Sequence, residues 1–387
     1  MQKSCDEFAK IFINIETVMS NTSLKIKNIT AHLESVAPLS YQESYDNAGL
    51  LTGNPETEIT SVLVTLDCTE EIVDEAISRG CNLIVAHHPI IFSGLKKITG
   101  RNYVERTIIK AIKNDIAIYA IHTNIDNVHN GVNKKIADKI GLKNLHILEP
   151  KTGLLKKLTT YVPVAHLEKV SAALFDAGAG NIGNYDQCSF YAEGTGTYRG
   201  NEKSNPFAGT LGKLHHEKEN KLEVIFPSHL QTKITQALLT SHPYEEVAYD
   251  IFSLSNENSL IGAGVIGELE SSVTPENFLT FLKQKMNLEC IRFTQTNRKE
   301  IKRVAICGGS GSFLIKSALN QNADAFITAD VKYHDFFDAE KTLMIADIGH
   351  YESEIFTKEL LRDIILEKFH TFAVLLTELN TNPIKYF

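Results

Sequence analysis

The chain has no tryptophan, no cysteine pair at CxxC spacing, no excess of positive charge and no long uninterrupted apolar run. Each absence removes a class of protein. Without CxxC spacing, the six cysteines (Cys5, Cys68, Cys81, Cys188, Cys290, Cys307) form neither a thiolate metal knuckle nor a dithiol redox motif. Several lie in apolar, strand-like contexts and read as buried free thiols of a reducing compartment. Lys plus Arg number 39 against 47 Asp plus Glu, so a net charge of -8 gives no global electrostatic reason to expect a nucleic-acid partner. No segment approaches the roughly 18 apolar residues that a spanning helix needs, so no membrane partner is expected. The opening "MQKSCDEFAKIFINIETVMSNTS" sets Asp6, Glu7 and Lys10 before any apolar run, the wrong order for a secretory signal. A cytoplasmic location is the expectation. Met19 offers a second natural start, so residues 1–23 read as an N-terminal extension.

What is present is an ordinary balance: 387 residues, 43% hydrophobic, enough for two or three domains with sizeable cores. From Leu24, Ile26, Ile29, Leu33 and Val36 fall at helical spacing and stop before Pro38. "SVLVTLD" (61–67) reads as a buried strand and "TEEIVDEAISRG" (69–80) as a helix capped by Thr69 and closed by Gly80. "CNLIVAHH" (81–88) reads as the next strand. Strand, helix, strand implies parallel pairing. "YVERTIIKAIKNDI" supplies a further helix, and "AIYAIHTNIDNVHNG" a strand that ends in a polar loop.

The same grammar returns at "RVAICGG" (303–309), "SFLIKSALNQN" (312–322), "DAFITAD" (324–330) and "TLMIADIGHYESEIFTKELLRDII" (342–365). A single shift of 242 residues sets Val62 against Val304 and "LIVAHH" against "AFITAD", without a gap. The economical reading is an α/β fold of two related lobes, residues 24–153 and 255–387, whose strand ends face one cleft. Between them, residues 154–254 run strand, helix, Gly-rich hairpin, strand, helix, strand. That order fits an inserted ferredoxin-like α+β domain, with a mobile loop around Pro206.

Metal-type ligands gather at the expected strand ends. "LIVAHHPIIF" carries His87 and His88, "HTNID" carries His122 and Asp126, and "GHYESE" carries His350 and Glu354 four apart on one helix face, after a turn at Gly349. Neighbouring residues on a strand point to opposite faces, so His87 and His88 share a site only if the backbone turns there; otherwise one is structural. Three imidazoles and two carboxylates suit a pair of divalent transition ions (Zn, Fe, Mn or Co) rather than an all-oxygen calcium site. Two such ions about 3.5 to 4 Å apart need a bridging carboxylate and terminal His ligands, which two splayed histidines, one per ion, would supply. By contrast His215 and His216, beside "EKENK", read as solvated hairpin surface. His122 and His334 are candidates for proton transfer; His122 equally fits a supporting bond to a ligand. Glu352 reads as surface, and Asp330, opposite His88 in the internal repeat, reads as a cleft residue or a helix cap. "GGSGS" (308–312) lacks a P-loop lysine and fits either phosphate binding or tight-turn packing.

In order along the chain, "SYDNAGLLTG", "VLVTLD", "LIVAHHPIIF", "AIHTNIDNVHNGVN", "VAICGGSGSFLI", "ITADVKYHD" and "DIGHYESE" resemble the GTP cyclohydrolase I type 2 homologue, or Nif-three-like, family over about residues 24–150 and 260–380. The insertion is similar to the PII- or CutA-like domain of longer bacterial members. The resemblance implies a dinuclear metal site formed by His87, His88, Asp126, His350 and Glu354, and a homohexamer built as a dimer of trimers. Two departures stand out: Tyr45 where members commonly carry Trp, and "TAD" in place of the more usual "TGD". Two functions follow as expectations. One is a metal-dependent hydrolase acting on a nucleotide or phosphoester-type small molecule, as the family's cyclohydrolase name implies. The other is a non-catalytic, metal-dependent regulatory or scaffold protein that senses a metabolite through its PII-like insertion.

Overall fold

The computed structural model describes residues 23–387, so Cys5, the second start at Met19 and almost all of the expected N-terminal extension lie outside the described residues. The chain divides into two compact units, one comprising the residues up to Asp126 together with His350–Phe387, the other Asn127–Gly349.

In the first unit, helix α1 (Ile26–Val36) is followed by β1 (Gly49–Thr52), β2 (Val62–Thr65), α2 (Glu70–Ser78), β3 (Leu83–Ala86), α3 (Tyr103–Lys113), β4 (Ala117–Ala120) and a short α4 (Thr123–Asp126). The sheet runs β1, β4, β3, β2 and then the C-terminal strand Val374–Leu376. Every pair is parallel except β1 with β4. All four residues of β2, of β3 and of β4 are buried, as expected of parallel strands covered on both faces. The helix ends are set locally. Thr69 Oγ1 accepts from Ile72 N at 3.4 Å, and the Asn102 side chain accepts from Glu105 N at 2.8 Å. Leu63, Ile72, Ile84, Ile108 and Ile118 form one continuous apolar cluster between sheet and helices.

Three features differ from the sequence reading. The stretch after β4 is not a polar loop but the turn of helix α4, closed by Ile125 N and Asp126 N donating back to the His122 carbonyl. The C-terminal segment, expected to close the second lobe, instead belongs to the first unit: Val374 pairs with Val62 in the parallel ladder. The helix expected to run on from His350 is also interrupted, as His350–Glu354 and then Thr357–Lys368.

The second unit holds two sheets. Helix α5 (Val132–Ile140) leads to β5 (Lys143–Lys151), and the chain continues through β6 (Leu155–Pro163), α6 (Leu167–Asp176), β7 (Ser189–Tyr198), β8 (His215–Pro227), α7 (Gln231–Ser241) and β9 (Tyr249–Leu254). These last four strands form an antiparallel sheet ordered β7, β8, β6, β9, with α6 and α7 burying Leu174, Phe226, Ile234 and Leu238 beneath it. Then come β10 (Asn258–Val273), α8 (Pro275–Met286), β11 (Arg292–Phe293), β12 (Ile301–Ser310), α9 (Ile315–Asn320), β13 (Ala325–Ala329) and β14 (Met344–Asp347), in a sheet ordered β11, β14, β13, β12, β10, β5.

The shift of 242 residues reappears as register. Val62 pairs with Leu83 in the first sheet, Val304 with Ala325 in the second, and the next two rungs follow in step. "GGSGS" proves to be packing: a Cβ at Gly311 would stand 2.5 Å from Thr328 Oγ1 and 2.6 Å from Cys307 Cβ, and the helix that follows, α9, is only six residues long. Of the cysteines expected to be buried, Cys68, Cys81 and Cys307 are, whereas Cys188 is half-buried and Cys290 exposed.

Candidate metal centre

His87 and His88 follow β3 directly, and their backbones stay tied to the neighbouring strand's end: His87 N donates to Thr65 O and His88 N to Leu66 O. The rings nevertheless converge, with centroids 4.9 Å apart, and the His122 ring stands 5.4 Å from each. The question raised by two adjacent strand-end histidines is thus answered by geometry, since both reach one place.

Each ring is oriented through its Nδ1. His87 Nδ1 donates to the Ile121 carbonyl at 2.8 Å; a carbonyl only accepts, so the proton lies on Nδ1 and Nε2 carries the lone pair. His88 Nδ1 donates to Asp67 Oδ1 and His122 Nδ1 to Asp46 Oδ1, each at 2.8 Å. Three Nε2 atoms are therefore directed inward by an oxygen acceptor behind the ring, the support that metal-ligating histidines almost always have. Gly349 (φ +91°), the last residue of the second unit, admits the turn that starts the helix His350–Glu354. His350 Nε2 comes 3.3 Å from His88 Nε2 and 3.1 Å from Glu354 Oε2.

Glu354 is 3% exposed and faces three imidazoles: Oε2 lies 2.9 Å from His88 Nε2, and Oε1 3.8 Å from His87 Nε2. Asp126 Oδ1 lies 3.7 Å from the same His87 Nε2. That nitrogen is buried, has no hydrogen-bond partner, and points between two carboxylates. An orphaned buried acceptor costs on the order of 1–3 kcal/mol, a cost that coordination would remove. The donor set fits a metal on this ground. Within it, two groups have ligand atoms close enough to hold an ion, His87 with His88 and His122, and His88 with His350 and Glu354; His88 belongs to both.

The charges are strongly coupled. Burial alone would pull the His88 pKa down, but hydrogen bonds to Asp67 and Glu354 and the charge of both carboxylates outweigh it and raise it to about 10. Burial pushes Glu354 up, and the facing His350, His87 and His88 more than reverse that, holding it well below the carboxylate range. Asp126 moves the other way, to about 7, because burial and the neighbouring Glu354 charge outweigh His122 and His88. Asp46, pushed up by burial, is held at about 2 by His122 and Thr123, whose N donates at 3.0 Å and whose hydroxyl also donates.

All five residues read from the sequence as metal ligands, with His122, therefore lie in the first unit. His334 is in neither of these groups. It belongs to the second unit, exposed before a turn of 3-10 helix, and its described contacts are with the Tyr333 and Phe337 rings. Glu352 is half-buried and accepts from Asn382 Nδ2 at 3.0 Å. Sequence reasoning assigned no role to Asp46 and Asp67, although both fall in motifs it singled out. A carboxylate at the end of the strand adjoining a histidine strand, as in "VLVTLD", is the available signal for Asp67.

The sequence profile of the Duf34/NIF3 (NGG1p interacting factor 3) family matches residues 24–383. This chain belongs to that family. Among curated NIF3 relatives, a protein of Halalkalibacterium halodurans named GTP cyclohydrolase 1 type 2 homolog is 40% identical over 358 residues, covering 91% of this chain and 96% of the relative. A Bacillus subtilis protein of the same name is 37% identical over 369 residues, covering 94% and 99%. A crystal structure of a Bacillus cereus protein related to NIF3 superposes with a TM-score of 0.83 at 38% identity, covering 95% of this chain and all of that one. The mixed α/β architecture described above is thus a NIF3-type fold.

Proposed function

We propose that the cluster holds two divalent transition ions, of the zinc, iron, manganese or cobalt class, and that the protein uses them as a hydrolase of a nucleotide or phosphoester-type substrate. The observation that carries this reading is the buried, partnerless His87 Nε2 directed between Asp126 and Glu354. Glu354 is suited to bridge, since its two oxygens face different histidines. His87 and Asp126 would serve one ion and His350 the other, with His88 at the junction. His122 is better suited to ligation than to proton transfer, because Asp46 holds its ring just as Asp67 holds that of His88. When bound, such ions supply an activated water and neutralise charge developing on a carbonyl or phosphoryl oxygen. The chain's own contribution is orientation: Asp46, Asp67 and the Ile121 carbonyl fix the imidazole tautomers, and burial of Glu354 keeps competing water away.

The relatives' name, GTP cyclohydrolase 1 type 2 homolog, favours a purine nucleotide as the first substrate to try. A two-lobe organisation with an inserted ferredoxin-like domain is part of the proposal, supported by the repeated register and by the β7, β8, β6, β9 strand order. A homohexamer and a cytoplasmic location complete it. Among the described residues, no helix is long and apolar enough to cross a membrane. A second reading, a non-catalytic metal-dependent regulator, is favoured by one observation, a ligand-sized cavity in the four-stranded sheet of the second unit. The two readings separate in a screen of metal-loaded protein against nucleotides and phosphoesters with His87→Ala as control. The hydrolase reading expects turnover in the wild type and its loss in the variant; turnover unchanged in His87→Ala sinks it.

A further inference from the structure

The four-stranded sheet of the second unit carries a cavity of about 700 Å³, remote in sequence from every residue of the metal cluster. Its polar anchor is Glu219 on β8, only 7% exposed yet lining the cavity. The Tyr244 hydroxyl donates to Glu219 Oε1 at 2.7 Å, and among the described residues no cation is paired with this carboxylate. A carboxylate largely removed from water without a countercharge is costly, so Glu219 is suited to receive a positively charged or donor-rich group from the cavity. The neighbouring strand makes room for the carboxylate. An ideal Cβ at Gly196 would stand 2.0 Å from Glu219 Oε2, so any larger residue would take the space that the carboxylate occupies.

Around this anchor the wall is aromatic. The rings of Tyr198 and Phe207 stand 5.8 and 5.9 Å from that of Tyr244, and Tyr161 lines the same cavity. The charge balance is negative: Glu193, Glu245 and Glu246 join Glu219, against Arg199 and Lys221. Lys221 is already engaged by Glu223 Oε1 at 2.7 Å. The loop around Pro206, expected from sequence to be mobile, is fastened over the cavity by Asn205 N donating to Glu245 Oε1 and by Tyr198 Oη donating to the Ala208 carbonyl. Aromatic faces and unpaired carboxylates together recognise cations, through ring quadrupoles and charge-assisted hydrogen bonds. A multiply charged nucleotide would meet the wrong sign of wall.

The geometry points to a second ligand site here, one that takes a small organic cation bearing a guanidinium or primary ammonium group, with that group seated on Glu219 between the Tyr198, Phe207 and Tyr244 rings. Arg199 at the rim has no ion-pair partner among the described residues and would receive a carboxylate if the cation is an amino acid. This site stands independently of the metal-centre reading.

Calorimetric titration of the full-length chain with agmatine, L-arginine and, as the rival, GMP tests it. The expected result is saturable binding of agmatine or L-arginine, one per chain, weakened at least about tenfold by Glu219→Gln and further weakened by rising salt. Glu246→Lys, at an exposed position where folding is not at stake, is expected to weaken binding by roughly threefold to fivefold. Arg199→Ala weakens L-arginine alone if the natural ligand is an amino acid, and neither probe if it is a simple amine; both outcomes support the site. Absence of saturable binding by either cation, binding unchanged in both Glu219→Gln and Glu246→Lys, saturation by GMP instead, or loss of binding in His88→Ala would each overturn it.

Discussion

The parallel parts of the two larger sheets are built alike and end differently. In the first, β2 and β3 pair from Val62 and Leu83; in the second, β12 and β13 pair from Val304 and Ala325, at the same offset. Beyond the rungs the resemblance stops. Where the first sheet continues into His87 and His88, the second continues into Ala329 and Asp330, the latter with φ +54°. Where the first places Asp67 behind a histidine, the second has Gly309 with φ +63°. The strands therefore provide a frame, and the two or three residues past each strand end decide whether that frame carries a ligand set. In the first sheet the set includes its own support, an oxygen acceptor behind each of His87, His88 and His122.

Substitution at equivalent positions tests this most sharply. His88→Ala removes the imidazole common to both candidate groups, and zinc affinity is expected to fall by roughly a hundredfold or more, whereas Asp330→Ala at the matching position is expected to leave metal content unchanged. Equilibrium dialysis followed by elemental analysis reads both. If Asp330→Ala loses metal as His88→Ala does, the contrast between the sheets fails.

Next in size is a pair of core truncations at matching positions, Ile84 in β3 and Phe326 in β13, both fully buried. Ile84→Ala is expected to cost about 2–5 kcal/mol and Phe326→Ala about 3–5 kcal/mol in denaturant unfolding. Only the first lies in the strand that leads to His87 and His88, so, if the proposed ions bind there, added metal should raise the melting temperature of folded Ile84→Ala protein, while Phe326→Ala should retain the wild-type metal content.

A smaller effect is expected from the carboxylates behind the rings. Asp67→Asn and Asp46→Asn keep the size of the side chain but replace one acceptor oxygen, and each should lower metal affinity about ten- to a hundredfold with the fold intact by circular dichroism. Wild-type affinity in both variants would mean that the rings are held by packing alone.

The smallest concerns Glu105, which is in neither candidate metal group. Its carboxylate accepts from Thr99 N, Thr99 Oγ1 and Arg101 N at 2.8, 2.9 and 3.1 Å, and these bonds hold its pKa at about 2. A depressed carboxylate stabilises the fold above its unfolded pKa, and that contribution is lost as pH falls through the folded value. The melting temperature of the wild type should therefore fall between pH 4.5 and about 2 more steeply than that of Glu105→Gln. Parallel curves would assign the loss to other carboxylates.

Much of this frame is legible in the sequence because parallel strands buried on both faces read as short apolar runs, and β2, β3, β12 and β13 each do. The candidate ligands stand out in the sequence because imidazoles are uncommon at the ends of such runs. What local pattern does not encode is long-range pairing. The strand Val374–Leu376 follows the second sheet's elements in sequence yet joins β2 of the first, and this carries His350 and Glu354 into the first unit. Asp46 and Asp67 escaped for a related reason: a single carboxylate has no periodicity, and its role exists only through the ring beside it. His334 had the right chemistry and a suggestive place in sequence, but is exposed beside Tyr333 and Phe337.

The most direct measurement is the number of ions per chain, by elemental mass spectrometry, in full-length wild type and in His350→Ala with Glu354→Ala after reconstitution and desalting. A dinuclear centre bridged by Glu354 predicts two ions per chain in the wild type and at most one in the double variant. Two ions retained in the double variant, or none held by the wild type, would contradict it.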